Sequence, residues 1–257
     1  MGEHREEINP DGKKTSPALQ AGLVFLYSFF MRKIKKFKIP IYSYEIMRKA
    51  KKAGAQLEIS GLSDERDFKE YVSQLAAAIE PAVVFDYFPP DDPDTAILGS
   101  VQKTPLTIAI LTLGQPFCDK INKEEEKNRK LVNVNSAPVF MSAAAKIIAD
   151  LAGQEAAQEG FELGKPMFIY SSPGIPMPEN MPEKKSSPKN TNELPLFALP
   201  EEEPEAAQET PLYRDELIKK LFFRLEASKI GMTLENGNLF PQSSCAFSME
   251  WKIKTRK

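Results

Sequence analysis

Histidine is nearly absent from this sequence, and its scarcity removes whole classes of chemistry. The 257 residues contain a single histidine, His4, in a polar N-terminal stretch. A Ser-His-Asp or Cys-His catalytic arrangement, a histidine-based zinc site and an axial ligand for a haem or cobalamin all require that residue. Any catalysis must use carboxylates, hydroxyls, lysines or a bound cofactor. We therefore predict no catalytic side chain and no metal site.

Cysteine and net charge are also low. Two cysteines, Cys118 and Cys245, are too few for a disulfide scaffold and fit a reducing compartment. They form no CxxC pair, which excludes the usual iron–sulfur and redox signatures. The formal net charge is −2, and the one basic cluster, residues 32–38, is too short to indicate nucleic-acid binding. We expect a cytoplasmic protein with no nucleic-acid partner.

Long apolar runs are also lacking, apart from residues 18–31, which precede the basic cluster. A bilayer span takes roughly 20 apolar residues, so this run is short. A secretory signal carries its charges before the apolar part, whereas here they follow it. We expect residues 1–38 to form a tail with a short apolar and basic helix, docked on the protein. A tail added by an early start codon and membrane contact are the alternatives.

What the sequence does contain is an alternation of helical and strand patterns. Phe68, Val72, Leu75 and Ile79 recur at helical spacing behind an imperfect capping box at Ser63. We predict helices over 43–53, 138–159 and 213–228, and strands over 82–88, 106–114 and 165–172. Residues 119–130 read as a charged surface segment, and short strands follow residue 230, with turns at Asn236-Gly237 and Pro241. This order predicts an α+β fold with a mixed or antiparallel sheet and flanking helices.

Residues 177–211 are rich in proline and glutamate and poor in aromatic residues. Such a composition buries too little apolar surface to offset the entropy of ordering. We therefore expect a flexible insertion at 177–211 within a domain that spans 39–257.

The predicted strand over 165–172 runs into Ser171-Ser172-Pro173-Gly174. Glycine allows the main chain to approach a ligand without an intervening Cβ, and proline holds that approach in one shape. A Pro-Gly dipeptide is also a common turn between two elements. Both interpretations stay open from the residues alone.

Several short motifs follow one another in a consistent order over residues 40–250. They are Leu111-Thr112-Leu113-Gly114 before the small-residue helix, Ser172-Pro173-Gly174, the helix 213–228, Ile230-Gly231-Met232-Thr233-Leu234, and Phe240-Pro241-Gln242-Ser243-Ser244. This order resembles the activation (reactivation) domain of vitamin B12-dependent methionine synthase, as a stand-alone member with a degenerate motif.

The resemblance implies binding of S-adenosylmethionine along the turn, at Tyr170, Ser172, Pro173, Gly174 and Ile175. It implies that the protein uses this cofactor to remethylate an inactivated cobalamin, which a partner corrinoid protein supplies. The chemistry would need no side-chain acid or base, because reduced cobalamin is itself the nucleophile.

The sequence also departs from the family pattern at charged positions. Tyr170 stands at the arginine before the turn and Ile175 at the tyrosine after it, while Lys146 and Pro138 stand at positions for a glutamate and an aspartate. The sequence alone therefore leaves open whether the protein is an enzyme. The alternative is a non-catalytic module that binds a corrinoid protein and has lost S-adenosylmethionine. A third possibility is a soluble domain of unrelated role.

Overall fold

A six-stranded sheet forms the centre of the protein in this computed structural model, which describes residues 31–90, 92–95, 104–179 and 211–254. Its strands are β1 (Arg32–Lys35), β2 (Ala82–Phe88), β3 (Leu106–Thr112), β4 (Phe161–Leu163), β5 (Met167–Ser171) and β8 (Ser244–Ile253). A separate hairpin consists of β6 (Thr233–Glu235) and β7 (Asn238–Phe240). The helices are α1 (Ser43–Lys52), α2 (Glu65–Ala76), α3 (Gln115–Lys123), α4 (Lys127–Gln158) and α5 (Pro211–Arg224), followed by a 3₁₀ turn at Ala227–Ile230.

Every strand pair in the sheet is antiparallel, in the order β1-β2-β3-β8. The outer side of the long strand β8 is shared by two strands. Strand β5 pairs with its first half, where Ser171 lies opposite Cys245, and β4 pairs with its end, where Leu163 lies opposite Trp251. The predicted α+β class with an antiparallel sheet and flanking helices is confirmed.

The sheet is covered on both faces, because alternate residues of its strands enter two separate cores. Ala109 and Leu111 of β3 belong to the core on the first face, which also contains residues of α1 to α4. Ile108 and Ile110 belong to the core on the second face, together with α5, the 3₁₀ turn and the hairpin. Residues two apart point to the same side of a strand, so a strand covered on both sides is apolar throughout.

Helix α4 is the main element of the first-face core. Among the described residues it is the one helix long and apolar enough to cross a bilayer, and 72% of its most apolar window is buried inside the protein. Its apolar character thus serves core packing. Glu126 caps its first turn by accepting hydrogen bonds from the amides of Asn128 and Arg129 at 2.9 and 2.7 Å, and these bonds lower the pKa of the Glu126 carboxyl.

Helix and strand boundaries differ from several sequence predictions. Asp64, not Ser63, caps α2, because its carboxylate accepts a hydrogen bond from the Arg66 amide at 2.7 Å. The segment 119–130, predicted as surface, contains the end of α3 and the start of α4, whose polar outer faces gave it its charged composition. The β6–β7 turn at Asn236-Gly237 is confirmed, with positive φ at both residues.

The N-terminal prediction of a tail and short helix over 1–38 needs a correction within the described residues. Residues 32–35 form β1, in which Ile34 lies opposite Val83 of β2 and packs against the first-face core. Arg32, Lys33 and Lys35 are exposed. Charged side chains on an edge strand oppose pairing with a further strand, which accounts for a strand of basic composition. The remaining part of this prediction, residues 1–30, and most of the insertion predicted at 177–211 lie outside the described residues.

Candidate functional site

The Pro-Gly dipeptide forms a tight turn directly after β5. The amide of Ile175 donates a hydrogen bond to the carbonyl of Ser172 at 3.2 Å, which closes a four-residue turn. Pro173 occupies its second position and Gly174 its third, with φ of +81°. A proline followed by a residue with positive φ defines a type II turn. The local sequence is therefore explained by the turn geometry itself.

Gly174 lies at the surface beside open space. Both Pro173 and Gly174 are exposed. A Cβ built on Gly174 would meet no atom within 4 Å in the part of the chain that the structure describes. The glycine is not covered by packed side chains, so its main chain is accessible to a ligand.

The side chain of Tyr170 points away from this surface. It is 1% exposed, lies in the second-face core, and its hydroxyl accepts a hydrogen bond from the Leu239 amide at 3.1 Å. An irregular register between Phe168 and Tyr170 turns Ile169 and Tyr170 toward the same core. Tyr170 would have to leave the core to touch a ligand.

Ser172 is equally buried, at 1% exposure, and its hydroxyl donates to the Leu239 carbonyl at 3.2 Å. Tyr170 and Ser172 together hold β7 against the end of the sheet. Ile175 is half-buried and packs on the first-face core. Of the five residues predicted to bind the cofactor, Pro173 and Gly174 are exposed, and Ile175 retains a partly accessible side chain.

The separate sequence motifs meet at one end of the sheet. Strand β3 ends where β8 begins and β5 ends. The amide of Leu113 donates to the Ser243 carbonyl at 2.9 Å, and the amide of Ser172 donates to the Ser244 carbonyl at 3.0 Å. The Ser243 hydroxyl donates to the carbonyl of Gly114 at 3.3 Å. Main-chain and serine hydrogen bonds thus join the motifs that contain Gly114, Ser172 and Ser243 into one arrangement.

Cys118 also belongs to this arrangement. Its sulfur accepts a hydrogen bond from the Ser243 amide and lies against the Ser243 hydroxyl, both at 3.0 Å. Cys245 is fully buried two residues after Ser243, and burial raises the pKa of its thiol. Both cysteines are buried.

A groove lies beside the Pro-Gly turn. Its volume is about 190 Å³, and it is enclosed by the C-terminal end of α1, by α4 and by the segment after the turn. The lining residues are Lys49, Lys52, Ala53, Asn135, Pro138, Pro176, Met177 and Glu179. Lys49 forms an ion pair with Glu179, with 3.4 Å between Nζ and Oε1. Of the two departures noted on α4, Pro138 lines the groove, and Lys146 is exposed two turns further along the helix.

The groove is small for a nucleoside-containing ligand, since such pockets usually enclose about 300–1,000 Å³. The exposed turn at Gly174 leaves the surface next to the groove open. A larger cavity of about 600 Å³ lies between residues 36–41 and the C-terminal end of α2, with Lys36, Lys38 and Glu80 among its lining residues. It borders the start of β2, at the same end of the sheet.

No protein-family model and no curated protein matches the chain. Among solved structures, the crystal structure of the MetH reactivation domain bound to AdoHcy is similar over 89% of this chain and 80% of that chain. The TM-score is 0.44 and the sequence identity is 12%. This is a distant likeness.

Proposed function

We propose that this chain is a stand-alone relative of the activation domain of vitamin B12-dependent methionine synthase. In this function it binds S-adenosylmethionine and supports the reductive methylation of a cobalamin held by a partner corrinoid protein. One observation carries the proposal: motifs spread from Leu111 to Ser244 meet at one end of the sheet, beside the accessible main chain of Gly174. If the likeness in motif order were accidental, there would be no reason for the motifs to lie together in the folded chain.

The residues of the turn would act by position rather than by acid–base chemistry. Pro173 fixes the turn, and Gly174 presents main chain without a side chain in the way. When bound, S-adenosylmethionine supplies an electrophilic methyl group and the partner's reduced cobalamin supplies the nucleophile. The contribution of this chain is to hold the methyl donor still at an exposed edge that a partner can reach.

A second candidate function is a non-catalytic module that binds a corrinoid protein without S-adenosylmethionine. The burial of Tyr170 favours it, because the residue at the family's arginine position offers the turn neither a charge nor an exposed side chain. An arginine would provide a fixed fork of donors for a carboxylate.

Calorimetric titration of the purified full chain with S-adenosylmethionine and S-adenosylhomocysteine separates the two candidates. We expect saturable binding that Gly174→Val abolishes, because the branched side chain would project into the space that the ligand uses. Gly160→Val is the matched control. Gly160 also has positive φ and open surroundings among the described residues, but it follows α4, away from the motifs.

Each outcome has a defined consequence. A folded wild-type chain that gives no heat with millimolar cofactor rejects the methyl-donor function. Equal binding by Gly174→Val and Gly160→Val rejects the turn as the site. Co-elution with a cobalamin-loaded methionine synthase domain then tests the second candidate, and failure of the two proteins to associate overturns it.

A further inference from the structure

Lys49 is unusually enclosed for a lysine on a surface helix. It lies in the last turn of α1, where only 10% of its side-chain surface is exposed, whereas Lys51 and Lys52 are exposed. An ammonium group is strongly hydrated, and removing it from water costs free energy unless an anion compensates. The position of Lys49 therefore requires an anionic partner within the groove.

The anion that pairs with Lys49 in the structure is replaceable. Glu179 lies on the irregular segment that follows the turn, and 65% of its side-chain surface is exposed. The cation is fixed in a helix, whereas the anion reaches it from the outer wall of the groove. Because Glu179 itself remains mostly in water, another carboxylate that takes its place keeps Lys49 paired, and the release of Glu179 to solvent costs little.

We propose that the groove is a carboxylate-binding site in which Lys49 is the cation and Glu179 occupies the site when no ligand is bound. Lys52 adds a second positive charge at the rim, so two lysines face one glutamate. A ligand carboxylate that replaces Glu179 keeps Lys49 paired throughout. This inference deepens the proposed function and rests on it for the identity of the ligand, whose methionine carboxylate would take this position.

The site would supply the charge that the turn lacks. Tyr170 is buried, so a cation must come from elsewhere, and the groove adjoins the turn through Pro176 and Met177. In this arrangement α1 provides the cation, and Gly174 leaves room beside it. Asn135 of α4 also lines the groove, with its side-chain nitrogen donating to the Leu131 carbonyl at 2.8 Å. Lys49 is then a binding residue for the ligand's carboxylate end.

The test compares Lys49→Gln, Glu179→Gln and the control Lys51→Gln in the full chain, by calorimetry with S-adenosylmethionine. Loss of a charge-assisted hydrogen bond predicts that Lys49→Gln weakens binding roughly tenfold or more. Glu179→Gln is expected to strengthen binding several-fold, because it removes the internal competitor, and Lys51→Gln to leave it unchanged. Lys49→Arg retains the charge and is expected to restore most of the binding.

Decarboxylated S-adenosylmethionine isolates the group concerned. We expect the wild type to bind it more weakly than the intact cofactor, and Lys49→Gln to cause no further loss, because the interacting carboxylate is already gone. If the ion pair only ties residues 176–179 to α1, both variants lower the unfolding temperature and binding does not rise in Glu179→Gln. That result overturns the inference.

The remaining outcomes separate this inference from the proposed function. Equal affinity of the cofactor for the wild type, Lys49→Gln and Glu179→Gln overturns the carboxylate site and leaves the proposed function standing. If the wild type does not bind the cofactor, the proposed function fails, and titration of Glu179→Gln with L-methionine tests the groove itself. L-methionine binding that disappears when Lys49→Gln is added supports the carboxylate site, and absence of L-methionine binding overturns it.

Discussion

Two proline turns lie at the same end of the sheet, and they have opposite surroundings. The closed turn, residues 241–244, contains Ser243 and Ser244 with no exposed surface, and its hydroxyls donate to the carbonyls of Gly114 and Pro241. The open turn, residues 172–175, exposes Pro173 and Gly174. Both turns carry motifs of the same family resemblance. A motif of proline, glycine and serine therefore predicts where the chain turns but not what the turn faces.

The difference follows from the positions of the flanking strands. The closed turn leads into β8, which has β3 on one side and β4 and β5 on the other, so its polar groups are cut off from water and must bond to each other. The open turn follows β5, which within the described residues pairs with β8 alone. Its far side is not constrained by a further strand, and the chain can face solvent there.

The largest effect is expected from Tyr170→Arg, which introduces, just before the open turn, the arginine of the family that the sequence resembles. Because Tyr170 is buried in the second-face core, the change places an unpaired charge there, and we expect a loss of about 3–5 kcal/mol of unfolding free energy. Urea denaturation measures this loss. Tyr170→Phe is the control. It removes the hydroxyl that accepts a hydrogen bond from the Leu239 amide, for an expected cost of about 1 kcal/mol.

A Tyr170→Arg variant as stable as the wild type, with tighter cofactor binding, would contradict this expectation. It would mean that residue 170 faces the ligand and that the open turn extends into β5. The comparison between the two turns would then have to be redrawn.

Most of the fold was predictable from local patterns. Strand β2 was predicted with its observed bounds, because it is an apolar run, interrupted by Asp86 alone, that proline ends. The hairpin was predicted because Asn-Gly suits a two-residue turn with positive φ at both positions. Strand β1 was missed because it has four residues and one apolar side chain, Ile34, which gives no alternation to detect. Helix α4 begins eleven residues before its predicted start at Pro138, because this proline lies inside the helix and not in its first turn.

The candidate site was predictable only in its main-chain geometry. The turn at Pro173-Gly174 follows from its dipeptide, whereas the direction of Tyr170 depends on the irregular pairing of β5 with β8. The contact between Lys49 and Glu179 joins a helix to a distant segment, and neither residue stands out in its local sequence. Non-local contacts of this kind depend on tertiary packing, which a local pattern does not encode.

The next largest loss of unfolding free energy is expected from glycine substitutions, which test how tightly the chain is packed around Gly114 and Gly174. A Cβ on Gly114 would lie 2.9 Å from the Glu80 carbonyl oxygen, and the φ of Gly114 is +94°. Gly114→Val therefore combines a clash with backbone strain, and we expect a loss of about 3 kcal/mol or more. Gly174→Val adds strain alone in the described surroundings, with an expected cost of about 1–2 kcal/mol. Equal losses in urea denaturation would show that the open turn is as tightly packed as the surroundings of Gly114, the residue whose carbonyl accepts from Ser243 of the closed turn.

The smallest effect concerns one hydroxyl in the closed turn. Ser243→Ala removes the donor to the Gly114 carbonyl and the contact with the Cys118 sulfur, while the Ser243 amide can still donate to that sulfur. The change leaves a buried carbonyl without this donor, so we expect a loss of about 1–2 kcal/mol of unfolding free energy. Pro173→Ala is the counterpart in the open turn. Its cost comes mainly from a freer unfolded chain and should stay below about 1 kcal/mol. If Pro173→Ala lowered the unfolding free energy more than Ser243→Ala, the exposed turn would contribute more to the stability of this end of the sheet than the buried serine hydrogen bonds do.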